Sequence, residues 1–94
     1  MNFEWDEAKN QANLLKHGID FEAAITIYDY FVYTFQDKRA NYGEDRFVSI
    51  GTVAGLEITV IYTPRGESRR IISARRSRHG ERRKYYDERE KNKD

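Results

Sequence analysis

Residues 56–76 read LEITVIYTPRGESRRIISARR. Leu56, Ile58, Val60 and Tyr62 alternate with Glu57, Thr59 and Thr63, which is the period of two of a half-buried strand. Pro64–Arg65–Gly66–Glu67 joins a residue of fixed φ to one of free φ, so the chain turns there. Arg69–Arg75 then resumes as a strand with an apolar centre at Ile71, Ile72 and Ala74. So short a connection joins antiparallel neighbours, because a parallel pair needs a crossover of a dozen or more residues. Upstream, Ala54–Gly55 is tight enough to bring Arg46–Val53 beside Leu56–Thr63. The aromatic and β-branched run Phe31–Gln36 precedes it across a polar loop with Asn41 and Gly43. The middle of the chain is therefore expected to be an antiparallel meander of four strands.

The first third has helical spacing. Asp6 is placed as an N-cap, and Trp5, Ala8, Ala12 and Leu15 recur three or four apart as one apolar stripe. Gly18 ends that helix, and Asp20 caps a second with Phe21, Ala24, Ile25 and Tyr28 inward. After the fourth strand Ser77 caps a last helix that runs through Tyr85 and Tyr86 and frays near Lys93. Its apolar content is nearly confined to the two tyrosines, so packing within the chain holds it weakly. It is expected to be mobile or bound to a partner. The order α-α-β-β-β-β-α predicts an α+β fold, with two N-terminal helices packed on a four-stranded antiparallel sheet and then a C-terminal helix. One domain spans residues 1–94.

Charge is unevenly distributed. Arg65–Lys84 holds nine Lys/Arg against two Glu, a local balance of +7, whereas residues 1–64 sum to −5 and residues 85–94 to −1. The net charge of +1 hides a concentrated cationic block. Arginine presents a planar, permanently charged fork of donors that fits phosphate oxygens, so such a block points to phosphate or nucleic acid. The 94-residue chain is 38% apolar and 35% charged, a modest core that leans on a partner, while 14% aromatic content argues against long disorder. No cysteine is present, which removes disulfides and thiolate chemistry. MNFEWDEAKN is acidic and lacks the apolar stretch of a signal peptide, and no run reaches membrane-spanning length. A cytoplasmic protein with no membrane association is expected.

Several chemistries are poorly supported. His17 and His79 are the only imidazoles and belong to no metal-binding motif, so no metal and no cofactor is expected. Phosphodiester cleavage through the ribose 2′-OH needs less equipment. It requires a base, a cation for the phosphorane and an acid for the leaving oxygen, roles open to Arg, Lys, His and Tyr. Strand parity places Arg69 and Arg75 on one face of the fourth strand and Arg76 on the other. On the last helix Arg78, Arg82, Tyr85 and Arg89 share a face, and Lys84 pairs with Glu81 or Glu88. His17, beside Lys16 and Gly18, either compensates a helix C-terminus or transfers protons. Trp5 and Tyr62 read as core, His79 as solvated, and Tyr85 as exposed enough to stack on a base or donate a proton.

Two segments carry a family resemblance. FEWDEAKNQANLLKHGIDFEAA, with its Trp-Asp-Glu start, Lys–Asn-bearing helix and Lys-His-Gly, resembles the first motif of the BrnT-type toxins. YGEDRFVSIG and VIYTPRGESRRIISARRSRHGERRKYY resemble the second, an Arg–Ile–Ile–Ser–Ala–Arg–Arg strand followed by a basic helix. By position Trp5, Asp6, Glu7, Lys9, Asn13, Lys16, His17 and Gly18 belong to the first. Arg46, Tyr62, Arg69, Ile71, Ile72, Ser73, Ala74, Arg75, Arg76, Glu81 and Tyr85 belong to the rest. Gly80 departs from the family, which favours a helix-forming basic residue there. The resemblance implies a RelE-like fold and a metal-independent ribonuclease toxin of a type II toxin–antitoxin system. It also implies a DNA-binding, BrnA-like antitoxin that forms a hetero-oligomer with the toxin. The residues proposed for catalysis are Arg75, Arg69, His17, Lys16 and Tyr85, and for RNA binding Arg76, Arg78, Arg82, Arg83 and Lys84. The alternative is a non-catalytic nucleic-acid- or antitoxin-binding module acting as operon corepressor.

Overall fold

Five strands form the sheet, and one pair is parallel. The computed structural model describes residues 1–92. In chain order the elements are β1 (Asn2–Glu4), α1 (Glu7–His17), α2 (Phe21–Ala24), a 3₁₀ turn (Ile25–Asp29), β2 (Tyr33–Gln36), β3 (Phe47–Val53), β4 (Leu56–Arg65), β5 (Ser68–Arg76) and α3 (His79–Lys91). The sheet order is β1-β5-β4-β3-β2. The expected four-stranded antiparallel sheet is thus corrected to a mixed sheet of five. The four central expectations survive as the antiparallel run β2–β5, and β1 adds a parallel edge through Asn2↔Ser68, Phe3↔Arg69 and Glu4↔Arg70. Three residues are too few for a period to show. What holds β1 is its partner: Arg70 reaches Glu4 at 3.0 Å, and Phe3 stacks on Tyr28 with ring centres 5.3 Å apart.

The second helix is also corrected, to a single α-turn that tightens into 3₁₀ geometry. Ile25, Thr26 and Ile27 are β-branched and poor helix formers, and the Thr26 hydroxyl donates to the Ala23 carbonyl at 2.6 Å. The tightening sets fully buried Ile27 against Gly51 of β3, where a Cβ would lie 2.7 Å from the Ile27 Cβ. Only glycine allows that approach.

The caps follow the sequence. Asp6 accepts from the Lys9 N–H at 3.1 Å, Gly18 ends α1 at φ 74°, and Asp20 accepts from the Ala23 N–H at 2.8 Å. Ala54 (φ 51°) and Gly55 (φ 80°) make the left-handed pair of a two-residue hairpin.

The apolar stripe of α1 is reversed. Ala8, Ala12 and Leu15 are exposed, and the helix buries Asn10 and Asn13 instead. Beyond the end of β1, the outer edge of β5 has no strand to satisfy it. Asn13 takes that place: its amide donates to the Ala74 carbonyl (2.8 Å) and the Ile19 carbonyl (2.9 Å), and its oxygen accepts from the Ala74 N–H (3.2 Å). Asn10 accepts from the Phe21 N–H at 2.7 Å. Buried backbone groups must be paired, so amide side chains rather than leucines face the sheet edge.

Two cores result. Phe21, Ala24, Ile27, Ile58, Val60, Tyr62, Ile71 and Ala74 fill the side covered by α1 and α2. Val48, Ile50 and Tyr85 fill the side covered by α3. The last helix adds one buried ring to this side, and polar contacts accompany it. Tyr85 is 2% exposed, and Tyr86 donates to Glu57 at 3.1 Å. Ser77 is not its cap; the Ser77 hydroxyl is buried against Thr59 (2.7 Å), and Glu81 accepts the Arg78 N–H at 2.7 Å to close the first turn. That contact forms the turn despite Gly80. The fraying expected near Lys93 lies outside the described residues.

Asn13→Ala should cost about 3 kcal/mol in urea unfolding, because it strands three buried backbone groups. Leu15→Ala should change stability by less than ~0.5 kcal/mol. The opposite ranking would mean that α1 packs through its leucine.

Candidate active site

Strand parity fails at one residue. Ile61 pairs with Ser73 and Tyr62 with Ile71, so β5 carries Ile72 as an extra residue, a β-bulge. Beyond it the side chains are out of phase. Arg69 stays with the α1-side core, its guanidinium 4.8 Å from the Tyr62 ring and 5.1 Å from that of Tyr28. Ala74 joins the same core, and Arg76 follows it on that side, paired in register with Ile58. Arg75 turns to α3. Arg69 and Arg75 therefore do not share a face.

On the α3 side Arg75 is gripped by Glu81: Nη1 donates to Oε1 at 2.7 Å and Nη2 to Oε2 at 2.9 Å. Glu81 Oε1 also accepts from the Arg78 N–H and, at 3.2 Å, from the Thr59 hydroxyl. Thr59 has one proton to give, so the Ser77 hydroxyl, 2.7 Å away, donates to Thr59. Burial alone would push the Glu81 carboxyl up. The hydrogen bonds from Arg75, Arg78 and Thr59, with the Arg75 charge, outweigh burial and hold it below its ordinary value. Glu81 is thus a fixed anion that aims Arg75. Nη1 also donates to the Arg76 carbonyl at 3.3 Å, which leaves Nε and the second Nη2 proton uncommitted among the described residues.

Arg75 and Glu81 form one wall of a groove of about 270 Å³. The opposite wall is the end of β2 and the loop after it: Phe35, Gln36, Asp37, Lys38 and Arg39, with Val48 and Ile61 as the floor. That loop is folded around buried Asp37, which accepts from the Arg39 N–H (3.1 Å), Nε (2.9 Å) and Nη2 (2.8 Å) and from the Tyr42 hydroxyl (3.1 Å). These bonds, led by Arg39, hold Asp37 well below the usual carboxylate range. Lys38 is exposed and makes no ion pair among the described residues. Phe35, partly exposed, packs on Tyr33 with centres 5.5 Å apart. The groove offers two guanidinium groups, each paired with a carboxylate that also lines it, one ammonium group with no ion pair among the described residues, and an aromatic ring.

The other expected residues lie elsewhere. His17 and Arg76 share a groove of about 480 Å³ on the opposite side of the sheet, with mostly apolar walls. Lys16 borders a small depression with His17, Ile72 and Ser73. Tyr85, expected to be exposed, is buried and donates to the Phe31 carbonyl at 3.3 Å. Arg82 is engaged by the Ser77 carbonyl (2.6 Å) and sits 3.7 Å from Glu57, and Lys84 pairs with Glu88 (3.4 Å) above the Tyr33 ring. Arg78 and Arg83 are exposed. Sequence reading missed Phe35, Lys38 and Arg39. Their one signal was a basic pair, Lys38–Arg39, next to an aromatic strand in an otherwise acidic half.

A small mixed sheet with helices on both sides and a cleft lined by charged side chains over a carbon floor defines an α+β protein. Across residues 5–81 the chain matches the family model for "Ribonuclease toxin, BrnT, of type II toxin-antitoxin system". The chain belongs to this family of ribonuclease toxins, whose members act with an antitoxin. No match was found among curated proteins. Among the described residues no helix is long and apolar enough to cross a membrane.

Glu81 contributes stability that is complete above its unfolded pKa and lost as pH falls through its depressed folded value. Acidification below 4.5, its ordinary value, should therefore destabilise the wild type more steeply than Glu81→Gln in denaturant titrations. Parallel pH profiles would mean that Glu81 is not held by these contacts.

Proposed function

We propose that the chain is a metal-independent endoribonuclease whose site is the groove between the β2–β3 loop and α3. The observation that carries the reading is the Arg75 guanidinium, fixed on two bonds by Glu81, across a cleft from unpaired Lys38. Preorganised cations stabilise charge that develops on a phosphorane without reorganising during the reaction. The ribose 2′-OH attacks phosphorus and loses its proton, the bond to the 5′-oxygen breaks, and that oxygen is protonated. The products are a 2′,3′-cyclic phosphate and a 5′-hydroxyl. Arg75 neutralises the phosphorane, the 2′-OH proton passes to solvent, the Lys38 ammonium protonates the leaving 5′-oxygen, Arg39 holds a neighbouring phosphate, and Phe35 stacks against a base.

The rest of the expected set takes other roles in this reading. Arg78, Arg83 and Lys84 extend the cationic surface along α3, Arg82 and Tyr85 fasten the helix, and Arg69 supports the sheet through its two tyrosines. His17, Lys16 and Arg76 are remote from the groove and take no part in proton transfer. Cleavage of RNA in the cytoplasm would stop translation, and a DNA-binding, BrnA-like antitoxin would hold the toxin inactive in a hetero-oligomer.

Purified protein should cleave RNA in EDTA. Arg75→Lys, which keeps the charge but loses the two-pronged grip, should lower kcat by roughly 10²-fold. Lys38→Ala should lower it by a similar order. His17→Ala should leave the rate within about twofold, in contrast with the loss of general acid–base catalysis. Loss of cleavage in His17→Ala alone would move the site to the other side of the sheet. RNA binding without cleavage in the wild type would instead favour a corepressor module.

A further inference from the structure

The first helix faces the wrong way for a chain that acts alone. Its polar side is buried through Asn10 and Asn13, and Ala8, Ala12 and Leu15, spaced i, i+4 and i+7, lie outside, with Leu15 89% exposed. Next to this stripe is the 480 Å³ groove, walled by Leu14, Ile19, Val53, Leu56 and Ile58. Leu14 and Leu56 are 39% and 46% exposed, so carbon surface runs from the groove onto the helix.

The groove lining itself leaves basic groups available, and exposed Glu22 lies beside it next to Ala23. His17 and Arg76 stand at the groove, and Arg76 makes no ion pair among the described residues. Lys16 is exposed beside them. The only carboxylate lining the groove, Asp20, is committed to the Ala23 N–H. The surface therefore asks for apolar side chains flanked by a carboxylate. A polyanion would meet mostly carbon here, since seven of the walls' residues are aliphatic or alanine and one is a guanidinium. A second copy docking through the same groove would bring no uncommitted carboxylate from the groove lining to meet Arg76.

We infer that the groove and the outer side of α1 are the docking surface for an amphipathic, acidic segment of the antitoxin. The inference rests on the family's antitoxin partnership and not on the location of the RNA site. Its leucine-type side chains fill the groove, and its carboxylate meets Arg76. Arg75 faces the other side of the sheet, so the antitoxin grips the toxin behind its catalytic groove. Anchoring and inhibition are then separable: this contact gives affinity, and a different part of the antitoxin must reach the groove.

The test is calorimetric titration of the purified toxin with its purified cognate antitoxin. Leu14→Glu/Leu56→Glu should weaken Kd by about tenfold or more, as truncation of central apolar anchors does. Arg76→Glu should weaken it too. Leu15→Glu, at a position too exposed to affect folding, should weaken binding even if the double variant fails to fold. Wild-type affinity in both Leu15→Glu and Arg76→Glu would overturn the inference. So would a free wild-type toxin that sediments as a dimer and becomes monomeric on Leu15→Glu, because a second copy would then own the surface. RNA cleavage is read separately: inactive toxin that still shows these binding losses would refute the catalytic assignment and leave the docking surface standing.

Discussion

A mismatch of one residue between neighbouring strands organises this molecule. Ile71 to Arg76 of β5, six residues, runs against Ile58 to Tyr62 of β4, five residues. With regular pairing Arg69, Ile71, Ser73 and Arg75 would share one face. The extra residue, Ile72, breaks the phase, so that Ile71 and Ala74 both enter the α1-side core while Arg75 turns to α3. Directly after the bulge, Asn13 binds both backbone groups of Ala74 and ties the first helix to the strand at the point where its phase changes. One local irregularity thus gives the two faces of the sheet different chemistry, a cationic cleft under α3 and an apolar groove beside α1.

The cationic block is less free than its charge of +7 suggests. Arg70 is neutralised by Glu4, Arg65 by Glu44, Arg75 by Glu81 and Lys84 by Glu88. Arg82 is engaged by a carbonyl. Four carboxylates from outside the block, Glu4, Glu44, Glu57 and Glu88, reach its cations. Exposed pairs of this kind add little stability, but each removes a cation from competition for phosphate. Arg75 differs because its pair is partly buried and Glu81 is itself held by two other donors, which makes direction rather than charge its contribution. Lys38, from the acidic half, is consequently as important to the cleft as any arginine of the block.

Local signals were readable and non-local ones were not. Asp6, Gly18 and Asp20 declared the helix ends, and the alternation from Leu56 to Thr63 declared β4, because caps and strand periods are set by neighbours in sequence. β1 exists only because β5 lies beside it. Nothing in a run of aliphatic and arginine residues marks Ile72 as supernumerary. Asn13 carried no local sign of its buried role because the Ala74 backbone it binds lies 61 residues away, and the apolar stripe of α1 was real but pointed outward. Tyr85 was misread for a related reason: a helix with almost no apolar content buried its one fitting ring and used Glu81, Arg82 and Tyr86 to close the rest. The family motifs were legible throughout, but they could not say which face each arginine takes.

The division of the two faces is tested most directly by amide chemical shifts during titration with a short RNA carrying a 2′-deoxy block at the scissile position. Shifts centred on Phe35, Lys38, Arg39, Arg75 and Glu81, with Leu14, His17 and Leu56 unmoved, are the predicted result. Shifts centred on His17, Leu56 and Arg76 would place the RNA on the apolar side and contradict the account.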